Sequence, residues 1–557
     1  MNKKIPNYER RKIKDIKDMV LSSVEIFKDK PAFWVKQKGK DGYQPISYNQ
    51  LKIDMNALGT ALIDMGLKGK KIAVIGENRY EWAVSYLAIV AGTGIVVPID
   101  KELPPNEIVG LIKRAEVEAI IFSGNNYPAI SAVAKNTDKN IIYINMDGLK
   151  TENGIFAYKD LISKGKDLVN KGDTRFINAE INPEEMNILL FTSATTDKSK
   201  AVMLSHKNIC TNLMAMVSMI YIDPSDIFFS VLPLHHTYEC TCGFLCPIYL
   251  GASIAFCEGL RHIQKNLQES KATMMLGVPL IFEAMYKRIW EQAKKNGLDK
   301  KLKMGIMISN FLKKINIDIT RKLFAPIHNN FGGNIRLFIS GAAAINPAVA
   351  KGFRDFGISF YQGYGLTECS PIVAVNSDKF FKDDAAGYPL PGVEVKIDQP
   401  NENGIGEIVV KGENVMLGYY GDPEATAEVL KDGWFYTGDL GYIDEDGFVH
   451  ITGRKKYVIV TKNGKNIYPE EIETLLNESL YIKESMVYGK EDPKEGDVII
   501  SAAIVPDFEK IQDEHKGKTL TLDEIRELIH NEIKKVNKKL VNYKHIKNFI
   551  IREAEFA

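Results

Sequence analysis

A chain of 557 residues is too long for one hydrophobic core and should divide into two or more domains. Its 45% apolar and 26% charged residues are the proportions of a soluble globular protein, and a net charge of +1 excludes the basic excess of a general nucleic-acid binder. The opening MNKKIPNYERRKIKDIKDMV is charged throughout and cannot serve as a signal peptide, while the longest apolar run, Tyr86 to Ile99, is too short and too broken by Gly and Pro to span a bilayer. These features set the expectation of a cytoplasmic protein with no transmembrane segment, a net charge that does not point to nucleic acid, and an oligomeric state that stays open.

The N-terminal part alternates strand-like and helix-like segments. Strands are predicted at Lys71–Gly76, Gly94–Ile99, Val117–Ser123 and Asn140–Asn145, with helices at Tyr80–Ala91 and Pro105–Ala115. That alternation argues for a parallel sheet covered by helices on both faces. The pattern then restarts: Ile188–Thr192, Ile227–Leu232, Ser253–Phe256, Thr273–Leu276 and Arg336–Ile339 read as strands. Lys207–Ile220, Leu280–Ala293 and roughly Lys300–His328 read as helices. A second α/β unit follows from this, with ligand-holding loops at carboxyl ends of strands: Thr192–Lys200, Ser340–Ala344 and Gly363–Glu368.

The stretch Asn187–His206, NILLFTSATTDKSKAVMLSH, passes from an apolar strand into a hydroxyl-rich segment and recovers as a helix from about Ser205. Hydroxyls and free backbone N–H groups after a strand suit a phosphate, with Lys198 and Lys200 adding charge. The absence of glycine there suits an ordinary surface turn equally well, and no Walker pattern is present. His235, His236, Cys240, Cys242 and Cys246 are zinc-binding residue types, but their spacing fits no common finger, and the segment reads as a buried helix.

From about Gly387 short strands with Gly, Pro and Asn turns indicate a small β-rich piece (GVEVKID, GEIVVKGE, GYIDEDGFVHITG). The last hundred residues mix strands (Tyr457–Thr461, Glu484–Gly489, Val498–Val505) with helices at Pro469–Glu478 and Leu522–Leu540. The fold class expected is therefore α/β. A large N-terminal domain (1–453) holds two α/β sheet subdomains, about 1–180 and 181–386, plus a β-rich subdomain, 387–453. A small mobile α+β C-terminal domain, 457–557, follows residues 454–456.

YQGYGLTECSP (361–371), FISGAAAINP (338–347), GWFYTGDLGYIDEDGFVHITGRKK (433–456) and NGKNIYPEEIE (463–473) together resemble the adenylate-forming superfamily. ENRYEWAVSYLA, VVPIDKELPPNEI and LPLHHTYE narrow the likeness to long-chain fatty acid–CoA ligases, from about Pro31 to the end. The resemblance implies two half-reactions: a carboxylic acid and Mg-ATP give an acyl-adenylate and pyrophosphate, and the thiol of CoA then displaces AMP. Peripheral contact with a membrane is compatible with it, as is loading of a carrier protein in place of CoA.

On that resemblance Glu368 is the Mg2+ ligand, a hard carboxylate for a hard cation, and Thr367 donates to the α-phosphate. Tyr364 stacks on adenine, within the run Gln362, Gly363, Tyr364, Gly365, and Gly341, Ala342 and Ala343 line its other side. Thr192, Ser193, Thr195, Thr196 and Lys200 form the phosphate loop. Asp439 and Arg454 reach the ribose, and Lys456 is the hinge. His235 lies beside the substrate carboxylate or simply packs. Gly464 and Lys465 match the loop that enters for thioester formation, where the lysine binds CoA phosphate or is solvated.

Two departures bear on ATP. The family loop TSGTTGxPKGV here carries Ala194, Asp197 and Ala201 where glycine stands, so positive φ becomes costly and a negative charge is added. The family's terminal basic segment, roughly K-T-x-x-G-K-I-x-R, does not follow YKHIKNFIIREAEF, and Lys544 and Lys547 are poor substitutes by position. Tyr457 also replaces an acidic or Asn position after the hinge. The expectation is a ligase whose adenylation step is weakened, with a binder lacking efficient turnover as the alternative.

Overall fold

The computed structural model describes residues 7–37, 39–137, 140–192, 199–461, 465–491, 498–515 and 520–556. The chain is an α/β protein that divides into two compact units, Met1–Glu394 with Val410–Phe435, and Val395–Val409 with Tyr436–Ala557. The strands 436–454 thus fall in the same unit as the C-terminal piece, and Lys456 lies inside that unit.

The first unit is built on two large sheets. An eight-stranded sheet runs in the order Gly418–Tyr419, Ala201–Ser205, Met186–Phe191, Ile95–Ile99, Lys71–Ile75, Ala119–Phe122, Ile142–Asn145, Ile155–Ala157. Its middle strands are parallel and apolar on both faces, as helices on either side require. A nine-stranded sheet runs Tyr388–Pro389, Ile372–Val375, Ser359–Gly365, Leu337–Ser340, Met274–Gly277, Ile227–Ser230, Ser253–Phe256, Pro31–Lys36, Tyr43–Ser47. Phe229, Phe282, Phe338, Phe353 and Phe360 form the aromatic centre of the core on one of its faces.

Three expectations are corrected here. The predicted second sheet does not begin at Ile188: Met186–Phe191 pairs in parallel with Ile95–Ile99 and belongs to the first sheet. Conversely, Pro31–Lys36 crosses to pair with Ser253–Phe256. Buried parallel strands are alike in composition, so chain order alone does not say which sheet each one joins. The helix expected from about Ser205 is present, but the chain does not enter it directly. It first forms the antiparallel strand Ala201–Ser205, and the helix His206–Met216 starts at a capping box of Ser205 and Asn208. Finally, the long helix expected over 300–328 is three: Asp299–Lys313, Thr320–Leu323 and Ala325–Asn330. Asn316 at φ 60° turns the chain, and Asp318 caps Thr320.

The His/Cys segment is a buried π-helical turn, Glu239–Leu245, followed by Cys246–Leu250. Cys240, Cys242 and Cys246 are free and buried, and no group of three metal-binding side chains occurs among the described residues. In the second unit, the strands Ile482–Glu491, Val498–Pro506 and Asn548–Ile551 form a sheet covered by the helices Pro469–Asn477 and Leu522–Asn537 around an Ile-rich core. No described helix is long and apolar enough to cross a membrane.

Candidate active site

The phosphate-loop stretch is the connection of a hairpin in the first sheet. Phe191 pairs with Ala201, and the Thr192 N–H donates to the Lys200 carbonyl at 2.9 Å, closing the ring. Ser193, Ala194, Thr195, Thr196 and Asp197 lie outside the described residues. Ala201 is fully buried in an extended strand and is not among the residues with positive φ. Its methyl joins the core, so the expected backbone cost of replacing glycine does not arise at this position.

The strand Gly418–Tyr419 extends the hairpin on its outer edge, with Tyr419 opposite Val202. This places the Tyr419 ring under the Lys200 ammonium, 4.5 Å from its centroid, within cation–π range. The Tyr419 hydroxyl in turn donates to Glu368 Oε1 at 3.0 Å, and the Met416 N–H holds the Glu368 carbonyl at 2.8 Å. One tyrosine therefore brings the loop lysine and the metal-type carboxylate together. Burial and the adjoining carboxylate push its phenol pKa upward, so it remains a donor.

Glu368 and Thr367 sit on a 3-10 turn, Thr367–Cys369, that follows the strand Ser359–Gly365. Gly365 is required there, because a Cβ would stand 2.1 Å from the Pro371 carbonyl. Tyr364 is 7% exposed, beside this turn. The adjacent parallel strand Leu337–Ser340 ends in Gly341–Ala343, so the two predicted adenine-lining segments lie at neighbouring carboxyl ends. Gly341 packs on Tyr238, whose ring carbon would be 2.8 Å from an added Cβ. Ala342 adopts φ 70°, a conformation that costs a non-glycine residue roughly 1–2 kcal/mol. Gln362 serves the scaffold: its amide donates to the carbonyls of Asp383 and Ala385 at 2.8 and 2.9 Å.

His235 follows the strand Ile227–Ser230 on a loop stapled by Asn78. The Asn78 amide donates to Ser230 Oγ and the Leu232 carbonyl, at 3.0 and 2.6 Å, and accepts from the Leu234 N–H at 3.0 Å. Ser230 also donates to the buried Glu239 at 2.6 Å. His235 Nε2 faces Asp100 Oδ2 at 3.5 Å, and its ring lies 4.1 Å from that of His236. His235, with help from the Glu102 N–H, holds the Asp100 carboxyl down at about 2.

In the second unit Asp439 and Arg454 are directly opposed on adjacent strands, Trp434–Ile443 and Val449–Arg454. Arg454 Nε contacts Asp439 Oδ1 at 2.8 Å, with the Asp side chain 6% exposed and the Arg 50%. Gly438, at φ 72°, makes the bend that presents Asp439. The Lys456 ammonium lies over the Tyr457 ring at 4.8 Å. Lys465 is exposed and its N–H is held by Thr461 Oγ1, while Gly464 lies outside the described residues. Lys544 is paired with Glu471 at 2.6 Å.

The family profile described as AMP-binding enzyme matches residues 22–420, and that of the AMP-binding enzyme C-terminal domain matches residues 456–555. The chain belongs to the AMP-binding enzymes. Fatty acyl-CoA synthetase A of Dictyostelium discoideum is 30% identical over 516 residues, 87% of this chain and 75% of the relative. Long-chain-fatty-acid–CoA ligase 5 of Rattus norvegicus is 30% identical over 491 residues, 82% of this chain and 70% of the relative. Among solved structures, ATP-bound MatB from Rhodopseudomonas palustris superposes with TM-score 0.72 at 25% identity, covering 97% of this chain and 95% of that one. The anthranilate CoA ligase AuaEII in complex with anthranoyl-AMP gives TM-score 0.76 at 18% identity, covering 99% and 94%, a likeness of fold.

Three residues of this arrangement carry no signal in the sequence. Tyr419 lies in MLGYYGDPEAT, where an uncharged aromatic two residues into an edge strand gives no chemical signal. Asp100 lies in VVPIDKELPPNEI, where nothing local signals a role, since its partner is 135 positions away along the chain. Asn78 reads as a loop residue until its three bonds are seen. A metal ion fits Glu368 in a particular way. One of the Glu368 carboxylate oxygens is taken by Tyr419, and Glu368 belongs to no group of three or more His, Cys, Asp or Glu side chains among the described residues, so Mg2+ bound there would need ligands beyond such a cluster.

Proposed function

We propose that this chain is an ATP-dependent fatty acid–CoA ligase, with a long-chain carboxylic acid as substrate and CoA as acceptor, and that adenylation is its slower half-reaction. The observation that carries the reading is the Lys200–Tyr419–Glu368 arrangement. It puts a cation and a metal-binding carboxylate at one hairpin edge, the elements needed to stabilise charge developing on a transferring phosphorus. Bound Mg2+ would neutralise phosphate charge at Glu368. Thr367 then donates to the α-phosphate, Tyr364 and the backbone of Gly341–Ala343 take the adenine, and Asp439 with Arg454 takes the ribose. His235, oriented by Asp100, stands where the substrate carboxylate enters. Lys456 is the pivot of the change between half-reactions, and Lys465 an exposed cation for CoA phosphate. The names of the curated relatives, long-chain-fatty-acid–CoA ligases and fatty acyl-CoA synthetases, support the substrate class.

The slower adenylation is assigned to Asp197, whose charge falls in the loop that meets the β- and γ-phosphates. Carboxylate-dependent ATP–pyrophosphate exchange reads adenylation, and synthetic acyl-AMP with CoA reads thioester formation. The second should outpace the first in the parent chain. Asp197→Gly should raise exchange about fivefold, roughly 1 kcal/mol, the Coulomb energy of one charge pair near 4 Å in water. Equal rates in both assays for the parent chain, with no gain in the variant, would remove the claim of slowed adenylation. No exchange and no thioester with any acid of a chain-length panel would remove the ligase reading itself.

A further inference from the structure

The helix Asp299–Lys313 carries an apolar face that its packing leaves uncovered. At 100° per residue Met304, Met307, Ile308 and Phe311 fall on one face, spaced i, i+3, i+4 and i+7. That face points to solvent: the four side chains are 53%, 66%, 49% and 67% exposed. The opposite side, where half-buried Leu302, Ile306 and Leu312 stand among small and polar residues, does the docking. Gly305 lies against Phe324, Ser309 is fully buried, Asn310 donates to Asp355 at 3.0 Å, and the Lys313 ammonium to the Arg354 carbonyl at 3.0 Å. Ile315 and Ile317, 55% and 47% exposed, extend the apolar surface past the helix end. The helix is thus anchored to the unit by one face and leaves a second apolar face exposed.

The charges beside the stripe select an occupant. Lys301 and Lys303 flank it on the two sides, and Lys300 lies at its N-terminal end; all three are exposed and make no ion pair among the described residues. From Leu298 to Ile317 the chain has five lysines and one aspartate, a net charge of +4. A second copy of this chain placed symmetrically on the stripe would set +4 against +4, which opposes that pairing. The surface is a single convex helix, with long flexible methionines in place of a pocket. A lipid surface needs no matching shape, takes apolar side chains to the depth of the acyl boundary, and places anionic headgroups level with lysines on both flanks.

We propose that Met304, Met307, Ile308 and Phe311, flanked by Lys300, Lys301 and Lys303, form a docking face for an anionic membrane surface. The face is remote in sequence from every residue assigned to nucleotide or acid, and the proposal does not depend on the ligase reading.

The test is cosedimentation of the full chain with phosphatidylcholine vesicles, with and without added phosphatidylglycerol, at low and high salt. The parent chain should bind the mixed vesicles, bind pure phosphatidylcholine about tenfold or more weakly, and lose most of its binding as salt screens the lysines. Met307→Asp with Phe311→Asp should lower binding to mixed vesicles about tenfold or more, and Lys300→Glu with Lys301→Glu should do the same. All four substitutions are at exposed positions, and unchanged thermal midpoints would show that the fold is kept. Absence of binding by the parent chain to the mixed vesicles would overturn the proposal, as would equal binding by all variants. A self-association seen by sedimentation velocity and abolished by Met307→Asp with Phe311→Asp would also overturn it, by making the second copy the occupant.

Discussion

Tyr419 carries no charge, yet it joins three parts of the candidate site through separate atoms. Its backbone extends the hairpin edge, its ring lies beneath Lys200, and its hydroxyl holds Glu368 at 3.0 Å. Tyr419→Phe keeps the strand pairing and the ring and removes only the hydroxyl. A hydrogen bond to a charged group contributes roughly 1.5–3 kcal/mol, so about a tenfold fall in carboxylate-dependent ATP–pyrophosphate exchange is expected. The Mg2+ requirement should rise, because the carboxylate is then free to turn away. Thioester formation from synthetic acyl-AMP should be unchanged, and a parallel fall in both assays would show that Tyr419 serves the fold and not Glu368. The loop's position was legible in the sequence because its hydroxyls and Lys200 follow an apolar strand. What Ala201 does was not: a glycine pattern suggests special backbone, whereas here the residue is an ordinary buried strand position.

At the scale of elements, period and burial made most strands readable, and Pro105–Ala115 and Ser253–Phe256 have the predicted ends. What stayed hidden were partnerships between segments far apart in the chain, such as Pro31–Lys36 with Ser253–Phe256, because a fully apolar strand carries no mark of its neighbour. The same holds for the π-helical turn Glu239–Leu245. Its sequence suggested a buried helix, but not that Glu239 would be 1% exposed with Oε2 unpartnered among the described residues. Burial lifts this carboxyl from its ordinary 4.5 to about 8, against the opposing hydrogen bond from Ser230. The folded value lies above the unfolded one, so the folded chain holds a proton that the unfolded chain has released. Stability from this group is complete below about 4.5 and is lost as pH rises to about 8, by an amount of order 4 kcal/mol. Glu239→Gln keeps the shape and removes the titration. Thermal midpoints of parent and variant should converge near the acid end of that window and separate toward pH 8, where the variant is the more stable. Parallel curves across the window would show that Glu239 stays ionised in the fold.

At the scale of the whole molecule, each compact unit contains residues proposed for the nucleotide. Thr192, Lys200, Tyr364, Thr367 and Glu368 lie in the first, and Asp439 and Arg454 in the second. A ligand that binds only the folded chain adds RT ln(1 + [L]/Kd) to its stability, about 2.7 kcal/mol at a hundredfold excess over Kd. Asp439 is a sharp test of whether the second unit shares in that gain. Its ion pair with Arg454 has one half-exposed partner, so Asp439→Asn should cost the ligand-free chain less than about 1 kcal/mol. If the carboxylate accepts from the ribose, the same variant should weaken Mg-ATP about tenfold or more, through the loss of charged acceptors in a buried site. The parent chain should therefore show a clear rise in thermal midpoint with Mg-ATP. The variant should start from nearly the same midpoint and gain about 1.4 kcal/mol less at equal nucleotide. A large drop without ligand, accompanied by an undiminished gain with it, would assign Asp439 to holding the strands Trp434–Ile443 and Val449–Arg454 together and leave the ribose to other groups.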